Sequence, residues 1–169
     1  FLGAGAIVHA TGERDLDRLG GLARVMPTTS LAFGVAALGA AALPVTSGFA
    51  AEWALLQSLI HGDGRDNVAL AILLPVAVAV VALTAGLALL TFVKAYGIAF
   101  LARPRSDAAA HGHEVGSSMR VAMLLCVAAV VGLGLAPGPV AAGLASAVGA
   151  DGIQVVGVLG VSLPAVDAL

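Results

Sequence analysis

Apolar residues dominate long stretches of the chain, and the interruptions between these stretches predict its helices. From position 25 to position 60 the only charged residue is Glu52, and the apolar run is interrupted at 43–48. Because proline breaks a helix and glycine weakens one, this pattern predicts a single discontinuous (broken) helix over 28–61. We assign its hinge to Pro44, Ser47 and Gly48.

Further apolar runs predict a helix end at 1–10, a helix over 68–102 and a helix over 118–136, whereas 140–169 has no clear element. Runs of about 20 apolar residues suffice to cross the hydrocarbon core of a membrane. The predicted fold class is all-α, a polytopic transmembrane helix bundle with one discontinuous helix. The chain starts within helical character and without an initiator methionine, which predicts the C-terminal fragment of a longer protein.

Composition supports the membrane assignment. The chain is 60% hydrophobic and 11% charged, with a mean hydropathy of +1.04, whereas soluble domains contain about 25% charged residues. We therefore expect a multi-pass protein in a lipid bilayer. The net charge of −2 favours no particular class of partner, and the sequence has no basic stripe that would indicate nucleic acid. Cys126 is the only cysteine, which excludes an intrachain disulfide.

Arginine positions predict the orientation of the chain. If the segment 28–61 crosses the membrane once, six arginines lie on one side and only Arg65 on the other, whereas two separate crossings would divide them four against three. Positive residues concentrate on the cytoplasmic side. We therefore expect one broken crossing in the cytoplasmic membrane, with the six arginines on the cytoplasmic face. They are Arg14, Arg18, Arg24, Arg103, Arg105 and Arg120.

Glu52 is the first candidate for a proton-relay residue. A charged side chain at bilayer depth costs roughly 3 kcal/mol on insertion scales and usually faces a wet or protein-lined interior. Glu52 lies about one turn into the second half of the broken helix, where the helix dipole favours the carboxylate and burial favours the neutral acid. These opposing effects suit a group that exchanges protons. The alternative is a glutamate that only caps or pairs with a neighbour.

Lys94 and His9 are the other candidates for the relay. Thr84 and Thr91 precede Lys94 at helical spacing, so a polar stripe along this helix predicts a face that looks into protein. Alternatively, Lys94 snorkels to the membrane surface. Imidazole titrates near neutral pH and suits a relay, but His9 is two residues from a polar connector and could equally be solvated at the interface.

The polar segment His111-Gly112-His113-Glu114 contains metal-ligand residue types. It offers no fourth ligand at a recognisable spacing, so we assign no metal site. No catalytic residues and no cofactor-binding pattern are assigned in this chain.

Several runs of sequence resemble a known family. The runs FLGAGAIVHATGERDLDRLGGLARVMPTTS and LPVTSGFAAEWALLQSL resemble the C-terminal half of the antiporter-like subunits of respiratory complex I, multisubunit cation/proton antiporters and membrane-bound hydrogenases. The runs FVKAYGIAFLARPRS and HGHEVGSSMRVAMLL are most similar to the large membrane subunit of the hydrogenase-4 and formate hydrogenlyase branch. The resemblance covers roughly 1–139.

The resemblance implies two inverted helical repeats in the intact subunit, each with a broken helix, of which this chain holds the end of the second. It places Glu52 where the family has the residue that ends the proton route toward the outside. It places His9 on the central hydrophilic axis, and Lys94 matches a lysine of the hydrogenase branch. The first repeat is absent from this chain, so we do not expect this chain to translocate protons alone.

The predicted function is proton translocation across the cytoplasmic membrane by the antiporter-like subunit of a redox-driven complex, a membrane-bound hydrogenase or an NADH:quinone oxidoreductase. The implied partners are other membrane and peripheral subunits of that assembly, which would carry the redox cofactors. One alternative is a subunit of a multisubunit sodium/proton antiporter. A second is a structural membrane module in which Glu52 and Lys94 only hold helices together.

Overall fold

The computed structural model describes residues 1–60, 68–101, 103–140 and 142–143, and these residues form helices and connectors with no strand. In this part of the chain the structure has the α-helices α1 (Leu2–Thr11), α2 (Pro27–Ala40), α3 (Ser47–Ile60), α4 (Val68–Tyr96), α5 (Asp107–Ala110) and α6 (Ser117–Leu135), and residues 138–140 and 142–143 are also helical. Two short 3₁₀ turns, Leu16–Arg18 and Leu22–Arg24, join α1 to α2, and a π-helical turn, Gly97–Leu101, extends α4. The all-α fold class is confirmed.

Among the described residues, two helical segments are long and apolar enough to cross a membrane. They are Val68–Leu101, with 34 residues, and Ser117–Leu135, with 19 residues. Leu2–Thr11 and Pro27–Ala40 are shorter apolar helices. Large apolar side chains on α4, including Ile72, Leu83 and Leu90, are exposed. Lipid or another protein has to cover such a surface, so the helices fit the predicted membrane fold.

The chain divides into two compact units. Unit 1 contains residues 1–41 and 86–129, and unit 2 contains residues 42–85 and 130–169. The predicted tail over 140–169 lies outside the described residues except for 140 and 142–143, as do residues 61, 102 and Arg65.

Unit 1 has a continuous core built from α1, α2, α5, α6 and the turns between them. Phe100, on the π-helical turn, is 1% exposed, and Leu22 and Met26 are fully buried. Phe33 of α2 packs on Phe100 with ring centroids 5.3 Å apart. The remaining buried apolar residues of this core are Ala6, Ile7, Leu19, Ala32, Ala99, Ala109, Val115 and Met123. These contacts pack α2 against both chain segments of unit 1, residues 1–41 and residues 86–129.

The connector between α1 and α2 packs on the segment that follows α4. Both 3₁₀ turns contact Gly97–Leu101. Gly20 has a φ of 151°, and a Cβ there would collide with the carbonyl oxygen of Arg103. This close approach requires glycine. It brings together the segments that carry Arg14, Arg18, Arg24, Arg103 and Arg105, five of the six arginines that were assigned to one side of the membrane.

The interruption between α2 and α3 covers 41–46. Ala42 and Val45 have left-handed φ values of 52° and 75°, which are costly for residues other than glycine, most of all for a β-branched one. The hydroxyl of Thr46 donates to the carbonyl of Leu43 at 2.6 Å. The chain therefore leaves the helical path where the sequence predicts a break, with Pro44 inside it.

Ser47 and Gly48 do not lie in the break, contrary to their assignment to the hinge. The carbonyl of Thr46 already accepts the amide of Ala50 at 3.3 Å, so Ser47 and Gly48 belong to the first turn of α3. Whether α2 and α3 form a single crossing stays a prediction.

Unit 2 covers the break with α6. A Cβ at Gly134 would lie 2.5 Å from the carbonyl oxygen of Val45 and 2.6 Å from the Cα of Thr46. Backbone atoms cannot turn aside as a flexible side chain can, so only glycine permits this contact.

We expect Gly134→Ala to displace α6 from the break and to lower the free energy of unfolding by about 1–3 kcal/mol, as overpacking does. The control is Gly132→Ala on the same helix, where a Cβ meets nothing within 4 Å. Alanine should be neutral or stabilising at Gly132 because of its higher helix propensity. Thermal unfolding of the full-length subunit in detergent measures both variants. Equal midpoints would contradict the close contact.

Candidate functional site

Glu52 lies on α3, in the second turn after the break. Its side chain is half-buried, while the neighbouring Ala51 and Trp53 are exposed. Within the described residues of unit 2, its carboxylate has no hydrogen-bond or ion-pair partner. Phe49 and Trp53, on either side of it in sequence, stack with ring centroids 6.1 Å apart. The structure therefore gives no support to a glutamate that is only one half of an ion pair within this unit.

Lys94 and His9 both belong to unit 1, whereas Glu52 belongs to unit 2. Lys94 lies in the last turn of α4, directly before the π-helical turn, and its side chain is exposed. His9 lies in the last turn of α1 and is also exposed. A relay through these three side chains stays a prediction, and so does the choice between a relay and an interfacial position for Lys94 and His9.

The two threonines of the predicted polar stripe bond to their own helix. Thr84 donates its hydroxyl to the carbonyl of Val81 at 2.7 Å, and Thr91 donates to that of Leu87 at 2.8 Å. Exposed threonines in apolar helices commonly satisfy their hydroxyl proton in this way. Both hydroxyl protons are used within the helix, but both hydroxyl oxygens can still accept a hydrogen bond. The stripe can therefore orient water or another hydrogen-bond donor, while its own hydroxyl protons are already engaged.

A polar cluster that spacing did not reveal lies at the amino end of α2. Glu114 accepts the backbone amide of Thr28 through Oε2 at 2.8 Å and the hydroxyl of Thr29 through Oε1 at 2.5 Å. Ser30 and Tyr96 join their hydroxyls at 3.0 Å. Thr29 and Ser30 are buried, with 0% and 4% of their surface exposed. Every member of the cluster belongs to unit 1.

The sequence contained one sign of this cluster. Met26 precedes Pro27 at the start of α2, and methionine cannot cap a helix with its side chain, so a cap is missing where one is expected. Spacing could not show that the acceptor comes from Glu114, far along the chain. Glu114 had instead been weighed together with His111 and His113 as a metal ligand. The oxygens of Glu114 are occupied by α2, while the Nδ1 of His111 lies 2.9 Å from the carbonyl of Asp107.

The surroundings of Glu114 favour its charged form. Partial burial raises the pKa of this carboxyl, but hydrogen bonds from the Thr29 hydroxyl and from the amides of Thr28, Thr29 and Val115 lower it, and the net pKa falls below its usual range. A carboxylate that accepts several backbone amides commonly has a low pKa. Glu114 is therefore an anion at neutral pH.

A carboxyl whose pKa is lower in the folded state stabilises the fold above its unfolded value, and this contribution disappears as pH falls through the folded value. We expect Glu114→Gln to lower the melting midpoint of the full-length subunit at pH 7. The deficit should shrink as the pH falls below about 4.3, the usual value for glutamate. Thermal melts in detergent from pH 7 to pH 3 test this, with exposed Asp107→Asn as the matched control. A deficit that does not depend on pH would contradict an ionised Glu114.

A cavity of about 390 Å³ lies in unit 1 between α2 and the end of α4. Its lining is apolar apart from the ring of Tyr96, and includes Gly34, Leu38, Phe92 and Val93. No acid or base other than the tyrosine phenol lines it, so it offers no row of proton carriers.

Comparison with known proteins supports the family that the motifs indicated. The model of the family described as NADH:quinone oxidoreductase/Mrp antiporter, TM matches residues 1–81, a region that includes His9, the break and Glu52.

The chain also has relatives of known name. It is 43% identical to hydrogenase-4 component B of Escherichia coli over 131 residues, which are 78% of this chain and 20% of that protein. It is 36% identical to formate hydrogenlyase subunit 3 of Escherichia coli over 138 residues, 81% of this chain and 23% of that protein. An uncharacterised protein of Mycobacterium tuberculosis is 47% identical over 137 residues, 81% of this chain and 21% of that protein. The chain thus spans about a fifth of the length of these curated relatives.

Proposed function

We propose that the chain is part of a subunit that moves protons across the cytoplasmic membrane, because residues 1–81 match the family described as NADH:quinone oxidoreductase/Mrp antiporter, TM. The subunit works within a redox-driven complex, and a membrane-bound hydrogenase is favoured over an NADH:quinone oxidoreductase. Similarity to hydrogenase-4 component B and formate hydrogenlyase subunit 3 supports that preference. The carrying observation is a half-buried Glu52 just after a helix break inside the family region, with no ion-pair or hydrogen-bond partner for its carboxylate among the described residues.

Glu52 is the residue that takes up and releases the proton. It lies in the second turn of α3, shortly after the irregular backbone of the break, and such backbone at membrane depth is tolerated where it lines a cavity or is buried in protein. A side chain without a fixed ion-pair partner is free to change its charge as neighbouring charges move. His9 and Lys94 extend the route, since imidazole and amine groups can exchange protons with a carboxyl when they are desolvated.

The redox chemistry belongs to partner subunits. Other membrane and peripheral subunits of the assembly carry the electron-transfer cofactors, and this chain responds electrostatically to their charge changes. The exposed apolar side chains of α4 supply surface for those membrane subunits or for lipid. The arginine-bearing connectors of unit 1 lie on the cytoplasmic side, in keeping with the bias of positive residues toward that side.

A sodium/proton antiporter subunit is the second candidate, because the matching family description also names the Mrp antiporter. Its discriminating property is transport driven by a sodium gradient in the absence of any electron donor.

The first test compares wild type with Glu52→Gln in inverted membrane vesicles that contain the full-length subunit in its complex. An amide cannot carry the proton, so we expect proton uptake per redox turnover to fall by about tenfold or more, which is within the usual effect of losing an acid–base group. Assembly should persist, because glutamine has nearly the same shape. Asp107→Asn, an exposed carboxyl-to-amide change, is the control and should leave uptake unchanged.

Unchanged uptake in Glu52→Gln, with normal assembly and turnover, would favour the structural module and overturn the proposed function. Uptake that requires a sodium gradient and no electron donor would favour the antiporter.

The role of Lys94 is tested by two substitutions that separate charge from proton exchange. Arginine keeps the positive charge but does not deprotonate in proteins, whereas glutamine removes both properties. A relay predicts that Lys94→Arg and Lys94→Gln both reduce proton uptake per turnover, by about tenfold or more. A snorkelling lysine predicts that Lys94→Arg behaves as wild type, because arginine reaches the interface equally well. The same vesicles measure both.

A further inference from the structure

We propose that Glu114 is a positioning residue for the broken helix, because it caps the amino end of α2 from the loop that precedes α6. The loop in question is 111–116, between α5 and α6. The consequence for proton movement rests on the proposed function, whereas the cap itself does not.

The backbone donors at the start of α2 show why the cap is needed. The first amides of any helix lack partners within the helix. Pro27 has no amide proton, and the amide of Ser30 already donates to the carbonyl of Met26 at 2.9 Å. The amides of Thr28 and Thr29 remain. Glu114 accepts the amide of Thr28 at 2.8 Å, and the amide of Thr29 contributes to the lowered pKa of the same carboxyl. The carboxylate thus lies at the free donors of this end of α2.

A charged acceptor suits this position better than a neutral one. The amino end of a helix carries a partial positive charge, so a carboxylate there is stabilising. The hydroxyl of buried Thr29 adds a hydrogen bond to Oε1 of Glu114 at 2.5 Å. Because Thr29 is fully buried, its hydroxyl has no access to water as a substitute acceptor. Loss of Glu114 would therefore leave buried donors without a partner, which is costly.

A second contact sets the rotation of α2. The hydroxyl of Ser30 pairs with that of Tyr96 at 3.0 Å, and the Tyr96 ring packs on Phe100 with centroids 5.1 Å apart. Successive residues Thr28, Thr29 and Ser30 are thereby attached to two different parts of unit 1, the loop before α6 and the end of α4. A helix held at two points on its first turn cannot easily slide along or turn about its axis.

The position of α2 sets where the break begins. α2 runs from Pro27 to Ala40, and the break follows at once with the left-handed residues Ala42 and Val45. A helix is a stiff rod with a rise of about 1.5 Å per residue, so a shift at its amino end is transmitted to its carboxyl end. Glu114 therefore acts on the proton route through α2 and does not itself carry the proton.

The test uses the full-length subunit in its complex and measures amide hydrogen exchange by mass spectrometry on peptides that cover Thr28 and Thr29. Glu114→Gln removes the charge, and Thr29→Val removes the hydroxyl at nearly constant volume. We expect each to speed exchange at this turn by about tenfold, the usual scale of a lost helix cap. Thr29→Ser keeps the hydroxyl and should behave as wild type. Exposed His113→Gln, beside Glu114, is the matched control.

Proton uptake per redox turnover is the second readout, and it should fall in Glu114→Gln and Thr29→Val and recover in Thr29→Ser. If exchange is unchanged in both disruptive variants, the cap is wrong. If exchange rises but uptake per turnover stays normal, Glu114 is only a structural cap and the positioning role is overturned. Should Glu114→Gln fail to assemble, the Thr29 pair still decides the question. Failure of the proposed function appears separately, as normal uptake in Glu52→Gln.

Discussion

Backbone polar groups that lack water must find partners within the protein, and the structure depends on how this is achieved at an interrupted helix. A break creates two helix ends where an unbroken helix would have none. In this chain, the amide of Ala50 donates a hydrogen bond to the carbonyl of Thr46, and the hydroxyl of Thr46 donates one to the carbonyl of Leu43. Gly134 lets α6 approach the backbone of Val45 and Thr46 on one side of the break. The break is thus an ordered part of the structure, with hydrogen bonds between its own residues and the start of α3.

The same requirement explains the far end of α2. There, Pro27 removes one donor, and Glu114 accepts the amide of Thr28 and the hydroxyl of Thr29. The acceptor comes from a loop that packs on the α1–α2 connector, since Gly112 approaches Thr11 and Val25. The loop that carries Glu114 and the connector between α1 and α2 therefore stabilise each other. The apolar core around Phe100 packs beside them. Hydrogen bonds set the position of α2, and packing of apolar side chains supplies its stability.

Local features of the sequence predicted the helices and the break, because proline, glycine and apolar run length act over a few residues. The bounds of α6 differ from the predicted 118–136 by a single residue at each end. Contacts between distant segments could not be predicted in this way. The bond from Thr28 to Glu114 depends on the folding of the whole unit, and the close contact of Gly134 with the backbone of Val45 and Thr46 joins segments that are far apart in the sequence. The stripe of Thr84 and Thr91 was visible as a spacing, but the direction of its hydroxyls was not.

The break also bears on why a glutamate is tolerated at position 52. A carboxylate at bilayer depth costs roughly 3 kcal/mol on insertion scales. The amino end of a helix returns about 0.3–1 kcal/mol to an anion in its first turn, and this effect falls off beyond that turn. Glu52 lies in the second turn of α3, so the helix end offsets at most a part of the cost. The rest of the compensation has to come from water or protein that faces the side chain, which is why a charged residue at bilayer depth usually marks a pathway for ions or protons.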